Sequence, residues 1–255
     1  MSKKDDGVTV VIAMMLILAI FVTCMSAYST TYLPGLKETA EIQHSEQVKF
    51  AFERFASDVD NIYSQGMPAR YSEPLTLGGG DVLLSPSKSS GILEIKNETI
   101  GYLTYGENNI SINTTRITYT PSYSLWEPQG YTYTNGLVWI TKGTKKTPAS
   151  LTLYTNKSGV EEEKNWIKEQ FESMNQTMKI SGENMTMQII TMEAKEPFSV
   201  TGSGVVKLRL DTTTIEKPSI PSGEVTLINN RNPVPYIITA KNLTINILTI
   251  EVSMI

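Results

Sequence analysis

Apolar and polar positions divide the chain into three stretches. From Gly7 to Leu36 there is no charged residue, and Val8–Tyr28 is almost entirely apolar. Apolar residues then recur every three or four positions as far as about residue 65, which is the period of an amphipathic helix. From Tyr71 onward the period changes to two, which is typical of strands. The pattern predicts an apolar helix, an amphipathic helix and a β-rich region, in that order.

The apolar stretch has the length of a membrane span. As a helix rising about 1.5 Å per residue, Val8–Tyr28 extends about 31 Å, the thickness of one bilayer core. It is longer than the apolar part of a cleavable secretory signal, which has about 7–15 residues. Lys3 and Lys4 precede it, so the positive-inside rule puts the amino terminus in the cytoplasm. We therefore expect a single-pass protein of the cell membrane whose remaining chain is extracellular, at the cell surface.

Small residues recur within the apolar stretch. Ala19, Thr23 and Ala27 are four positions apart and form a stripe of the kind that lets two membrane helices approach closely. The same spacing also arises by chance in apolar sequence, so the stripe is a candidate packing surface only. Cys24 is the single cysteine, and an intramolecular disulfide is therefore impossible.

The second stretch predicts a helix that packs on the head. Pro34-Gly35 predicts a kink or break, because proline lacks an N–H donor and glycine is flexible. Beyond it, apolar residues spaced by 4, 3, 4 and 3 form one stripe: Val48, Phe52, Phe55, Val59 and Ile62. We expect this stripe to contact the sheet of the head, the alternative being a stalk helix against a neighbouring copy. Gln65-Gly66 should end the helix.

The third stretch predicts many short strands. We expect strands at 91–96 and 99–105 around an Asn97-Glu98 turn, another at 110–120, and a type I′ hairpin turn at Asn135-Gly136. Further strands are predicted at residues 150–155, 185–192, 205–210, 224–228, 236–239 and 243–254. The last should be central, with a bulge near Leu248 where its alternation shifts. Many short strands favour a sandwich or open barrel of mostly antiparallel sheets.

One helix interrupts these strands. Ser158 and Glu161 fit a capping box, and Ile167, Phe171, Met174 and Met178 follow at helical spacing. The predicted fold class is therefore α+β, a long N-terminal helix followed by a β-sandwich-like head with one inserted helix. The predicted segments are a cytoplasmic leader at 1–7, a transmembrane helix at 8–33, an amphipathic helix at 34–66 and an extracellular head at 67–255.

The amino-terminal layout resembles a known family. A short basic tip, a glycine and an uninterrupted apolar helix that continues into an amphipathic one resemble the class III signal of archaeal type IV pilin-like proteins. The resemblance implies that a prepilin-type peptidase cuts between Gly7 and Val8, leaving the helix as anchor and later as filament core. Two features depart from the pattern: Asp5 and Asp6 precede the cut, and Ile12 occupies the fifth mature position, where bacterial pilins carry Glu.

Composition offers little material for catalysis. Net charge is -4 with no Lys/Arg stripe, which argues against nucleic-acid binding. His44 is the only histidine and is expected to be solvent-exposed, so we predict no catalytic residue, no metal site and no cofactor. Residues 77–81 (LGGGD) lack the Gly-Lys-Ser/Thr of a phosphate loop and favour a flexible turn or bulge. The aromatics of 119–139 favour sheet packing, with a carbohydrate-binding face as the alternative.

Acceptor motifs for N-linked sugars are frequent after the span. The pattern Asn-x-Ser/Thr starts at Asn97, Asn109, Asn113, Asn156, Asn175, Asn184 and Asn242. A sequence rich in Asn and Thr for other reasons would also produce such motifs. They fit a glycosylated outer face, in agreement with the expected topology.

Two functions remain open at this point. The first is a pilin-like structural subunit of a surface filament, whose partners are the membrane, the peptidase and other copies or related subunits. The second is an uncleaved, membrane-anchored surface binding protein or adhesin that does not polymerise. An enzyme is not expected.

Overall fold

The amino-terminal part of the protein is one long helix in three sections. In the computed structural model, which describes residues 5–65, 69–79, 82, 85, 88–134, 136–149, 179–181, 184–216, 219–229 and 232–255, α1 runs from Asp5 to Ala27. A π-helical turn, Tyr28–Tyr32, follows, and α2 runs from Leu33 to Gln65. The long apolar helix is thereby confirmed, and one helix within Thr9–Ile62 is long and apolar enough to cross a membrane.

Of the kink or break predicted at Pro34-Gly35, the break is wrong, since the helix continues through both residues. Pro34 lies in the first turn of α2, where a missing N–H donor is tolerated, and Gly35 is helical. The irregularity comes just before it, where the N–H of Leu33 bonds to the carbonyl of Tyr28, five residues back. A widened turn at this place accommodates the proline ring, which would clash with the carbonyl four residues earlier in an α-helix. The two predicted helices are therefore continuous.

The described strands account for most of the remaining chain. In sequence order they are β1 Arg70–Thr76, β2 Ser90–Tyr105, β3 Asn108–Ser122, β4 Gln129–Thr134, β5 Leu137–Lys142, β6 Lys145–Pro148, β7 Lys179–Ser181, β8 Asn184–Ala194, β9 Phe198–Gly202, β10 Val205–Glu216, β11 Ser219–Asn229 and β12 Asn232–Met254. The α+β class is thus confirmed.

These strands belong to one hydrogen-bonded sheet. Its main path is β1-β10-β12-β11-β2-β3-β4-β5-β6, with β7 on β8, β8 on β12 and β9 on β2. The pairs are antiparallel except β8 with β12. A sandwich of two separate sheets is not confirmed, because the long β12 pairs with β10, β11 and β8 and keeps the described sheet continuous. The prediction that the last strand is central is confirmed.

Helix α2 packs against strands from distant places in this sheet. It contacts β1, at one end of the strand order, and β4 and β5, near the other end. The sheet must therefore curve around the helix. The core lies between them and includes Phe52 and Phe55 of α2, Leu93 of β2, Tyr131 of β4 and Ile250 of β12. One apolar helical face thus completes the interior of the curved sheet.

Of the two hairpin turns predicted from the sequence, one is confirmed and one is wrong. The hairpin at Asn135-Gly136 is confirmed, since Thr134 pairs with Leu137 and Gly136 has a φ of 81°. The Asn97-Glu98 turn is wrong: β2 is continuous there, and the chain turns at Gly106, whose φ is 56°. Gly106 adopts the left-handed backbone without steric cost, which Asn97 does less readily. The chain therefore reverses eight residues after the expected turn and gives one long strand.

The bulge expected in the last strand lies in its partner. The register of β10 against β12 shifts between Thr212 and Thr214, opposite Thr249 and Ile250. The predicted strand at residues 150–155 and the predicted helix at residues 158–178 lie outside the described residues.

Candidate functional site

The apolar part of the long helix has no cover from the head. The large hydrophobic side chains between Val10 and Val22 are each more than half exposed. The small-residue stripe Ala19, Thr23 and Ala27 lies on this exposed helix, and the hydroxyl of Thr23 donates to the carbonyl of Ala19 at 2.7 Å. Gly7 and Val8 lie within α1, so the backbone of the expected cleavage site is helical.

The second half of the helix is fixed to the head by its apolar stripe. Val48, Phe52, Phe55, Val59 and Ile62 are each at most 7% exposed and belong to the core. The ring of Phe52 lies 6.0 Å from that of Tyr131, and the ring of Phe55 meets Tyr133 edge to face at 5.0 Å. The sequence-predicted stripe therefore lies against β4.

A buried carboxylate extends this contact toward the amino-terminal end of α2. Glu41 is 0% exposed, and its Oε2 accepts the backbone N–H groups of Leu125 and Trp126 at 3.0 and 2.8 Å. Its Oε1 accepts the N–H of Ser124 at 2.9 Å, the hydroxyl of Ser124 at 3.0 Å and the hydroxyl of Ser89 at 2.6 Å. Three successive backbone amides of the β3–β4 loop thus converge on one side chain of the helix.

These hydrogen bonds keep Glu41 ionised. Burial by itself would raise the pKa of this carboxyl, but the bonds from Ser124, Ser89, Trp126 and Leu125 outweigh it and lower the pKa from 4.5 to about 2. A shift of that size corresponds to about 3 kcal/mol of stabilisation by the ionised form. Glu41 is therefore a strong polar attachment between helix and head.

His44 lies one turn further along and is also buried. The sequence-based expectation of a solvent-exposed histidine is wrong, since the residue is 3% exposed. Its Nε2–H donates to the carbonyl of Thr76 at 2.9 Å, which leaves Nδ1 to accept the hydroxyl of Tyr123 at 2.8 Å. Burial lowers the pKa of the imidazole, and the bond to Thr76 opposes this only in part. The neutral ring is a packing and hydrogen-bonding group.

Two glycines after β1 allow the chain to approach this histidine. A Cβ at Gly79 would lie 2.3 Å from the ring of His44, and one at Gly78 would lie 2.3 Å from the carbonyl oxygen of Ser89. At Gly78 and Gly79 the expected flexible turn is therefore instead a closely packed segment. Glycine is needed because a side chain at Gly79 would overlap His44 of the helix and one at Gly78 would overlap Ser89 and Ser203.

We predict that Gly79→Ala destabilises the protein by about 1–3 kcal/mol, because the added methyl group forces His44 or the backbone to move. Gly35→Ala is the matched control, since a Cβ at this helical glycine meets nothing within 4 Å. Alanine there should be neutral or stabilising by up to about 1 kcal/mol. Denaturant unfolding of both variants in detergent checks the difference, and equal midpoints would contradict it.

Sequence reasoning missed Glu41 and His44 although a signal for them exists. Both continue the apolar stripe toward the amino terminus, since 41, 44, 48 and 52 are separated by three, four and four positions. His44 was expected in solvent and Glu41 was not singled out, because charged and polar residues are rarely buried without partners. The partners come from loop 123–126 and from β1, which only the fold brings near.

The described acceptor asparagines differ in accessibility. Asn109 is exposed in β3, beside the β2–β3 turn. The amide of Asn97 exchanges two hydrogen bonds of 2.8 Å with the backbone of Ala194, and that of Asn113 donates to Glu193. Asn184 begins β8 and Asn242 lies within β12. Asn156 and Asn175 lie outside the described residues.

Within the described part of the chain, no group of three or more His, Cys, Asp or Glu could hold a metal ion. Comparisons with protein-family models, with curated proteins and with solved structures find no match to this chain. The features available for a functional argument are therefore the exposed apolar helix and its attachment to a β-rich head.

Proposed function

We propose that the protein is a pilin-like structural subunit of a cell-surface filament, held in the membrane by its apolar helix before assembly. The observation that supports this proposal is that the two halves of one continuous helix have different surroundings. Its first half exposes apolar side chains to its surroundings, and its second half is buried in the head. An exposed helix of this kind suits both lipid and the helices of neighbouring subunits.

The junction has the properties that a filament subunit needs. When the helix moves from the bilayer into a filament, the head must move with it and must not slide along the helix. The apolar stripe supplies adhesion, and the bonds to Glu41 fix the position of the helix along its own axis because they are directional. The exposed ring of Phe50 on α2, 57% accessible, offers an apolar contact to a further copy.

The orientation and the processing step complete the proposal. Lys3 and Lys4 hold the amino terminus in the cytoplasm, where a prepilin-type peptidase cuts between Gly7 and Val8. The head is then extracellular, and Asn109 is an exposed sugar acceptor beside the β2–β3 turn. No residue of the chain is assigned a catalytic role.

Amino-terminal sequencing of the native protein tests this proposal, and we expect Val8 as the first residue. Gly7→Leu should abolish processing, because the small residue at the cut is replaced by one that obstructs the peptidase, and the uncut chain should migrate more slowly on a gel. Gly35→Leu, which adds the same side chain to the same helix, should be cut normally. Native protein beginning at Met1 and unchanged by Gly7→Leu would contradict the proposal.

The second candidate is a surface binding protein that remains uncleaved and anchored. The fixed attachment between helix and head also suits a receptor or adhesin whose head is held at the membrane surface by a single membrane helix. Processing at Val8 together with helix-to-helix crosslinks among copies favours the subunit. An intact amino terminus with no such crosslinks favours the anchored binding protein.

A further inference from the structure

The head has a definable end nearest the span. Helix α2 begins at Leu33, and near this end its side chains hydrogen-bond to the head, Glu41 to Leu125 and His44 to Thr76. Thr76 in turn pairs with Val205. Contacts further along the helix, such as Phe55 with Tyr133, lie farther from the span. The β3–β4 loop, the end of β1 and the start of β10 therefore form the proximal end of the head.

Exposed apolar side chains are concentrated at this proximal end. Among the described residues outside the long helix, four large hydrophobic side chains are exposed: Ile92 at 41%, Leu125 at 48%, Val205 at 62% and Ile255 at 71%. Ile92 pairs with Thr201 of β9, close to the β9–β10 turn, and Ile255 exchanges backbone hydrogen bonds with Lys207. All four thus lie at the end that faces the span, whereas chance would scatter them over the surface.

Basic side chains surround these apolar ones. Lys88, Lys142, Lys145 and Lys207 are exposed at the same end. The ammonium group of Lys142 lies 5.8 Å from the ring of Trp126 and 2.8 Å from the carboxylate of Glu127. Glu41 is buried, whereas Glu127 is exposed and pairs with Lys142. The exposed surface at this end therefore has apolar side chains at its centre and, around them, lysines together with one Lys-Glu pair.

The proximal end also lies close to the end of the apolar segment. Tyr32 is 61% exposed whereas Leu33, the next residue, is only 7% exposed, so cover of the helix begins within one residue of the π-helical turn. Tyr28 and Tyr32 of that turn are in ring contact, and tyrosines of this kind mark the interface between membrane and water. Little chain is left to hold the head away from the membrane.

We propose that the proximal end rests on the outer surface of the membrane, with Leu125 and Val205 among the headgroups and the lysines on anionic lipid phosphates. Apolar side chains beside basic ones on one face are the chemistry of peripheral lipid binding. This contact would orient the head before assembly and would be given up when the helix leaves the bilayer. The inference rests on the membrane anchor of the proposed function.

Site-directed spin labelling of the full chain in vesicles of phosphatidylcholine and phosphatidylglycerol tests the contact. Labels are placed through Leu125→Cys and Val205→Cys, each combined with Cys24→Ser. Glu107→Cys in the same background labels the exposed turn after β2, at the other end of the head, and is the matched control. The native Cys24, labelled in the unaltered chain, reports whether the span is in lipid.

We expect labels at 125 and 205 to collide with a water-soluble nickel chelate severalfold less often than the label at 107. Equal accessibility at all three positions, with the label on Cys24 in lipid, would overturn the inference and leave the anchor intact. A label on Cys24 that is open to the chelate would instead remove the anchor, and with it both this inference and the proposed function.

Discussion

Glu41→Gln is expected to weaken the attachment of the helix to the head strongly. Each carboxylate oxygen accepts at least two hydrogen bonds, from Leu125 and Trp126 on one side and from Ser89 and Ser124 on the other. An amide NH2 on either side faces N–H or O–H donors and cannot accept them. We expect a loss of about 3 kcal/mol in the free energy of unfolding at neutral pH, measured with denaturant in detergent.

The same carboxylate predicts how stability depends on pH. Its pKa is lower in the folded protein, so its contribution is fully present above about 4.5 and is lost as the pH falls toward about 2. In Glu41→Gln the free energy of unfolding should therefore fall less as the pH is lowered from about 4.5 toward about 2. Glu38→Gln, on the exposed side of the same helix, should leave both neutral stability and this pH dependence unchanged. A Glu41 variant as stable and as acid-sensitive as the unaltered protein would refute the assignment.

Phe52→Ala should have the second large effect. The ring is 1% exposed and lies between α2 and Tyr131, so its removal leaves a cavity in the only contact surface that α2 makes with the described sheet. Truncation of a buried phenylalanine costs about 3–5 kcal/mol. We expect a loss of that size in denaturant unfolding of the isolated subunit.

Phe50→Ala is the control for this prediction. It removes the same side chain from the same helix, two residues away, where the ring is 57% exposed. The change should stay within about 0.5 kcal/mol. If Phe50→Ala proved as destabilising as Phe52→Ala, the helix would pack on the head by a different face.

The accuracy of sequence reasoning here depended on whether the information was local. The stripe from Val48 to Ile62 is a periodic signal over four turns, and the structure buries every member of it. The hairpin at Asn135-Gly136 depends on two residues alone. By contrast, Pro34-Gly35 was predicted to kink or break the helix, although a proline in a first turn after a widened turn is compatible with continuity.

The junction could not be foreseen in the same way. Glu41 is buried because three amides of loop 123–126 meet it, and those residues are more than eighty positions away in the chain. His44 is buried because Gly79 lets β1 approach without a side chain in between. Nothing near either residue in the sequence reports these partners. A polar residue in a helix was therefore assigned to water by default.

The sequence by itself determined the long apolar helix, the amphipathic stripe and the β-rich character of the head, because each follows from periodicity and length within a single segment. The tertiary structure decided that the described strands form one curved sheet, that this sheet encloses one face of α2, and that a carboxylate and an imidazole lie in the contact. The physical reason is that burial of a polar group depends on partners, and partners distant in sequence are brought together only by the fold.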